Sequence, residues 1–250
     1  MDRNSGDSEK LRGKDVSLAQ SSKAFAWLDN FWYHHKWKVI IIGFFAIFLV
    51  VGIVQMANKT EADATVTVAT HTIYDKNNVA ALERDLSSLM PRDRNEDGNK
   101  LLNLKTFKIY SESEMKEANE AETDEYGNPV IYADEAFNKQ QIQQFNSLVG
   151  MGECSVMILS EYMYNDLLSR REDVSLLLTA EEIFGEQKPE GALSHGIKLT
   201  DTGAYEYFDS FKTIPEDAVL CIMRPFVMGS NEQVTEFAIE YVKNIVFFGR

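Results

Sequence analysis

Cysteine is nearly missing from this chain, with only Cys154 and Cys221 among 250 residues. Two cysteines build no disulfide framework, and without a CxxC pair or a Cys/His spacing the common zinc motifs are excluded. Both lie inside apolar runs, CSVMIL and AVLCIM, where a free thiol packs as a small hydrophobe; a bridge would need Cα atoms within about 7 Å. The four histidines, His34, His35, His71 and His195, form no metal constellation. A glycine-rich phosphate loop, an HExxH helix and a serine in nucleophile-elbow context are all lacking. No catalytic residue is therefore assigned, and an enzyme is not expected. A binding module fits the same lack, because its site needs only shape and a few polar groups.

Basic residues are scarce in one part of the chain only. Residues 57–250 carry 18 basic and 34 acidic side chains, against 7 and 5 in residues 1–56. An acid surplus of that size offers no surface to replace phosphate counterions, so nucleic acid is excluded as a partner.

Charge is absent altogether from residues 39–56, VIIIGFFAIFLVVGIVQM, of which 13 are Val, Ile, Leu or Phe. As a helix, this run reaches about 27 Å, close to the roughly 30 Å of a bilayer's hydrocarbon core once its flanks snorkel. A transmembrane helix is expected. Lys23, His34, His35, Lys36 and Lys38 precede the run, with Asp29 as the nearby acid, whereas Lys59, Glu61 and Asp63 follow it. This bias keeps the amino terminus in the cytoplasm and puts the carboxy-terminal part outside. Trp27, Trp32 and Trp37 crowd the same flank, where amphipathic rings belong at headgroup level. The run and the segment before it are too long for a cleaved signal peptide, so the chain reads as a single-pass signal anchor in the cell membrane. The expected organisation is a disordered cytoplasmic tail (1–24), a juxtamembrane segment (25–38), the span (39–56), a linker (57–63) and an extracytoplasmic α/β domain (64–250).

Within that domain the pattern alternates. ATVTVAT (64–70), LLNLKTFKIY (101–110), SVMILS (155–160) and AVLCIM (218–223) read as strands. Helices are expected over 77–90, from Asp134 towards Leu148 with Phe137, Ile142 and Phe145 inward, after Ser160, and over 231–248 with Ser230 as cap. The acidic stretch 112–125 has too few apolar positions to bury and reads as a surface helix or an insertion; YGNP (126–129) reads as a turn. Strands alternating with amphipathic helices predict an α/β fold, a mainly parallel sheet covered by helices on both faces.

In a parallel sheet the ligand crevice lies beyond the carboxyl ends of the strands. That rule gathers His71 and Thr72, Ser111, Ser160 and Glu161, and Arg224. Arg224 follows an apolar strand and is held by Pro225, so its guanidinium is placed to grip a carboxylate with two bonds; an ordinary ion pair is the alternative. Separately, Asp93, Asn95, Asp97 and Gly98 in DRNEDG match the first half of a calcium loop, with oxygens at positions 1, 3 and 5 and the glycine at the bend. Leu104 stands where position 12 would supply a bidentate Glu, and an Asp-Gly turn explains the same residues. Ca2+ is the one cofactor the sequence suggests.

The order strand, helix, strand followed by GECSVMILSEYMYNDLL resembles a type 2 periplasmic solute-binding protein over roughly residues 64–224. There a helix passes through a Gly-acidic turn into a buried strand whose last residue faces the ligand, the places of Gly152, Glu153 and Ser160. The chain is short for two full lobes and shows no hinge segments. The WYxxKW segment before the span, with DxNxDG outside, resembles single-pass proteins of anaerobic Gram-positive bacteria, a likeness that implies a location. Together these imply a membrane-anchored, solute-binding-like module for a small ligand or an envelope protein. An accessory subunit of a membrane complex is the second expectation, and a cell-envelope hydrolase the third.

Overall fold

The computed structural model describes residues 6–57, 62–72, 75–120, 133–170, 175–225 and 232–250, with side chains of the first helix described from residue 25 to 54. Two compact units divide the chain near Thr60. The first is one helix, α1 (Gly6–Ala57), whose stretch Phe25–Val54 is long and apolar enough to cross a membrane. Rings stack along it at helical spacing, Trp27 on Phe31 at 5.5 Å and Phe31 against His35 at 5.0 Å. Composition alone suggested an irregular tail up to residue 24, yet the helix begins at Gly6. Lys10, Leu11, Arg12, Lys14, Leu18, Ala19 and Gln20 are good helix formers, and such residues extend a helix whose nucleus an apolar span has already supplied.

The second unit is an α/β sandwich around one sheet. Its elements are β1 (Ala64–Thr70), α2 (Lys76–Ser88), β2 (Leu102–Lys108), α3 (Glu112–Glu120), α4 (Glu135–Met151), β3 (Val156–Leu159) and α5 (Glu161–Ser169), then α6 (Ala180–Phe184), β4 (Ala192–Leu193), β5 (Gly196–Lys198), α7 (Gly203–Tyr207), β6 (Val219–Ile222) and α8 (Glu232–Val246). The strand order is β2-β1-β3-β6-β5-β4. β1 runs parallel to β2 (Ala64↔Leu102 to Thr70↔Lys108) and to β3 (Val66↔Val156 to Ala69↔Leu159). β6 lies antiparallel to β3, pairing Val156 with Ile222 and Leu159 with Val219, and β5 and β4 follow antiparallel. The sheet is thus mixed: the expectation of a mainly parallel sheet holds for β2, β1 and β3, and β6 departs from it. A four-residue strand buried on both faces carries the same apolar pattern in either direction, so AVLCIM held no sign of its reversal.

Alternate side chains of the strands feed two cores. Val66, Val68, Val156, Ile158, Leu220 and Ile222 face α2, α6, α7 and α8, whereas Ala69, Met157, Leu159 and Cys221 face α4 and α5. Helices cover both faces, as the pattern required. α2 begins at Asp75, whose carboxylate accepts the N–H groups of Asn77 and Asn78, and α4 begins at Asp134, which caps Phe137. α3 buries no side chain, in line with its acidic composition. Phe137 differs from expectation, since it is 49% exposed while Asn138 takes the inward place, in register with Phe145 and Val149. Both cysteines are buried free thiols, and burial raises each above the usual thiol range. YGNP and Ser230 lie outside the described residues.

Candidate functional site

The reversal of β6 separates the expected crevice residues. His71 and Thr72 follow β1, Ser111 follows β2, and Ser160 and Glu161 follow β3, all at one end of the sheet. Arg224 follows Ile222, which pairs with the first residue of β3, so it lies at the other end. The gathering of all six residues is therefore corrected to five. Ser160 is a further correction: it is fully buried, its N–H donates to the Ala69 carbonyl, and its Oγ accepts from the Met163 N–H at 3.4 Å as the cap of α5. It works on backbone and presents nothing to a ligand.

Ser111 is likewise built into a helix start. Its Oγ accepts the Glu114 N–H at 3.2 Å, and Glu114 Oε2 accepts the Ser111 N–H at 2.6 Å, the reciprocal pair of a capping box. Glu114 Oε1 lies 2.8 Å from His71 Nδ1, but off the axis of a hydrogen bond, so that buried nitrogen has no hydrogen-bond partner among the described residues. The His71 ring stacks on Tyr110 at 6.3 Å, and the Lys108 ammonium sits 5.0 Å from the Tyr110 centroid. Thr72 donates its N–H to Thr70 Oγ1 at 3.4 Å, and Glu161 donates its N–H to Asp217 Oδ2 at 3.0 Å.

Beside this end of the sheet, α3, α4 and the first turn of α5 line a half-open cavity of about 440 Å³. Tyr110, Met115, Ile142 and Tyr162 supply its apolar wall. Two asparagines fix the frame. Asn138 is buried in α4 and clamps Tyr110 at both backbone groups, its Oδ1 accepting the N–H at 2.9 Å and its Nδ2 donating to the carbonyl at 3.0 Å. Asn119 at the end of α3 does the same to Ala133, accepting at 2.9 Å and donating at 3.2 Å. Sequence reasoning missed both. The available signal was an asparagine at position 138 on the spacing of the inward apolar residues, where a polar side chain needs a buried partner. Asn138→Leu should leave both Tyr110 groups unpaired and cost about 2 to 4 kcal/mol in urea unfolding; a change under about 1 kcal/mol would mean the clamp is dispensable.

No family model, curated protein or solved structure matches this chain.

At the opposite end, Arg224 does grip a carboxylate, that of Glu182 in α6, with Nη1 to Oε1 at 2.8 Å and Nη2 to Oε2 at 2.6 Å. The chain itself provides the partner, which is the ion-pair alternative. Glu182 also accepts the Thr179 N–H at 2.7 Å in a second capping box. Hydrogen bonding from Arg224 lowers the Glu182 carboxyl from its ordinary 4.5 to about 2. The pair's contribution is therefore complete above about pH 4.5 and lost as pH falls towards 2. The two side chains are 32% and 41% exposed, so solvent screening reduces that contribution to about 1 kcal/mol. Arg224→Ala should be less stable by about that amount at pH 7, with the difference closing near pH 2. A constant difference across that range would contradict the linkage.

The DRNEDG loop forms a chain of turns. Asp93 accepts the N–H groups of Glu96 (2.9 Å) and Gly98 (2.7 Å), Asn95 accepts that of Asp97 (3.0 Å), and Asp97 accepts that of Asn99 (2.8 Å). Gly98 takes φ 88°, a conformation that favours glycine. The side chains of Asp93, Asn95 and Asp97 thus hold the backbone N–H groups of the loop. Asp93→Ala should lower the unfolding midpoint in chelator and in calcium alike. If the loop also holds Ca2+ with a dissociation constant near 0.5 mM, 2 mM calcium adds about 1 kcal/mol, or about 2 to 4 °C, to the wild type alone.

Proposed function

We propose that this chain is a membrane-anchored, solute-binding-like module whose extracytoplasmic domain takes a small ligand at the carboxyl ends of β1, β2 and β3. The cavity between α3, α4 and α5 carries this reading. Its volume falls in the range of about 300 to 1,000 Å³ typical of small-molecule sites, and rigid asparagine clamps hold its frame. The apolar stretch of α1 supports the anchor, and the basic, tryptophan-rich flank supports an amino terminus in the cytoplasm.

Orientation is tested by adding protease to intact protoplasts. An epitope at Arg250 should be removed while one at the amino terminus survives, and protection of both would refute the topology. Ligand binding is tested on the full chain in nanodiscs with a panel of amino acids, sugars, amines and carboxylates. At least one compound should raise the unfolding midpoint of the wild type but not of Ile142→Trp, whose indole fills the cavity. If every panel member affects both proteins equally, the cavity is not a ligand site and the accessory-subunit reading takes its place.

A further inference from the structure

We propose that the cavity selects a small organic cation, an amine or quaternary ammonium; this rests on the reading of the cavity as a ligand site. Charges at its rim are not equivalent. Lys139 is hydrogen-bonded to Glu135, and Lys116 has Glu120 one turn on at 3.9 Å, a looser exposed contact, so each ammonium has a carboxylate within its own helix. Glu112 also lines the cavity, and it has no partner among the described residues. Among the described residues that line the cavity, the charge without an ion-pair partner is therefore negative, while the Lys108 ammonium stands behind the wall against the Tyr110 ring. An anionic ligand would have to displace a carboxylate from one of the lysines, whereas a cation meets Glu112 directly.

The wall suits the same class. Tyr162 is 41% exposed and its ring makes no stacking or cation contact with described residues, while Met115 adds a polarizable thioether to the same cavity lining. Tyr110 already attracts the Lys108 ammonium to its ring, so an aromatic ring at this end of the sheet holds a cation within the fold itself. Beyond the site, the surplus of 34 acids over 18 bases in residues 57–250 raises the local concentration of cations and disfavours anions.

The test uses the full chain in nanodiscs of zwitterionic lipid, with choline and putrescine as probes. 3,3-Dimethyl-1-butanol serves as the neutral isostere of choline, and acetate as a small anion. An amine should raise the unfolding midpoint where the isostere and acetate do not. Tyr162→Leu should weaken the amine's affinity about 3- to 30-fold, and Glu112→Gln should weaken it several-fold with a smaller dependence on salt. Ile142→Trp should abolish the effect, and Met115→Trp provides a second way to fill the cavity should the first variant fold poorly. Panel compounds that are neutral or anionic and bind the wild type as well as amines do, with loss in the filled variants, would overturn the cation class and leave the ligand site standing. Amine effects that persist in both filled variants, or no effect of any compound on the wild type, would overturn both.

Discussion

Asp63→Ala is expected to destabilise the folded domain by about 3 to 5 kcal/mol and to lower its unfolding midpoint by roughly 10 °C. Asp63 is only 3% exposed, at the threshold of β1. Its Oδ1 accepts the N–H groups of Arg94 (2.7 Å) and Asn95 (3.1 Å), and its Oδ2 that of Leu101 (2.8 Å). One side chain therefore holds the middle and the far end of the connection from α2 to β2. Arg94 returns the contact, donating from Nε to the Asp63 carbonyl at 2.7 Å and from Nη2 to Ala62 at 3.0 Å. Alanine would leave three backbone donors without their acceptor. Asp63→Asn should cost about half as much, because its single amide oxygen can keep Arg94 and Asn95 but not Leu101.

The same residue predicts acid sensitivity. Burial by itself raises the Asp63 carboxyl, but the bonds from Leu101, Arg94 and Asn95 and the Arg94 charge outweigh it and hold the pKa below the ordinary 3.8. A folded pKa below the unfolded one means stability that is present above about pH 3.8 and lost as pH falls through the lower folded value. Urea unfolding at pH 7 and at low pH, for the wild type and both variants, measures this. A cost for Asp63→Ala below about 1 kcal/mol at pH 7 would show that the N–H groups find other partners.

Gly203→Ala should be comparably damaging. The residue is buried behind its cap Thr202, and a Cβ there would lie 1.9 Å from the carbonyl oxygen of Phe248. No rotamer change relieves a clash with backbone, so the chain's last residues must leave α7. Phe248 would then lose its ring contacts with Tyr207 at 5.0 Å and Phe208 at 5.1 Å, and Arg250 its bond to Glu206 at 2.9 Å. We expect a loss of about 3 kcal/mol or more. Deleting residues 247–250 together with the substitution should add little to either change alone; an additive double variant would show that the clash is not the cause.

Periodicity made much of this fold legible. ATVTVAT coincides with β1, and the other three apolar runs contain β2, β3 and β6, because burial on a pleated sheet writes itself into consecutive residues. Strand direction does not write itself there, so the crevice rule put Arg224 at the wrong end. The hairpin of β4 and β5 was not legible either, since strands of two and three residues carry no period. None of the six expected crevice residues lines the cavity, although five stand at the same end of the sheet, where Ser111 and Ser160 cap helices. A serine before an acidic or apolar turn signals a helix cap as strongly as it signals a ligand contact. Tyr162, Met115 and Asn138 come together through the packing of three helices from separate stretches of sequence, and no local spacing anticipates that.

The clamp between Asn119 and Ala133 has an evolutionary consequence. It ties the end of α3 to the residue before the cap of α4, so two hydrogen bonds fix the spacing of these two points, fourteen positions apart in the chain. Doubling a closed loop adds only about 0.6 kcal/mol to its closing cost. A change of length between residues 119 and 133 is therefore expected to leave the clamp in place, whereas one in DRNEDG removes the hydrogen bonds of Asp93, Asn95 and Asp97. A lineage can vary the length and chemistry of this connection while the helices and the strands beneath them stay as they are.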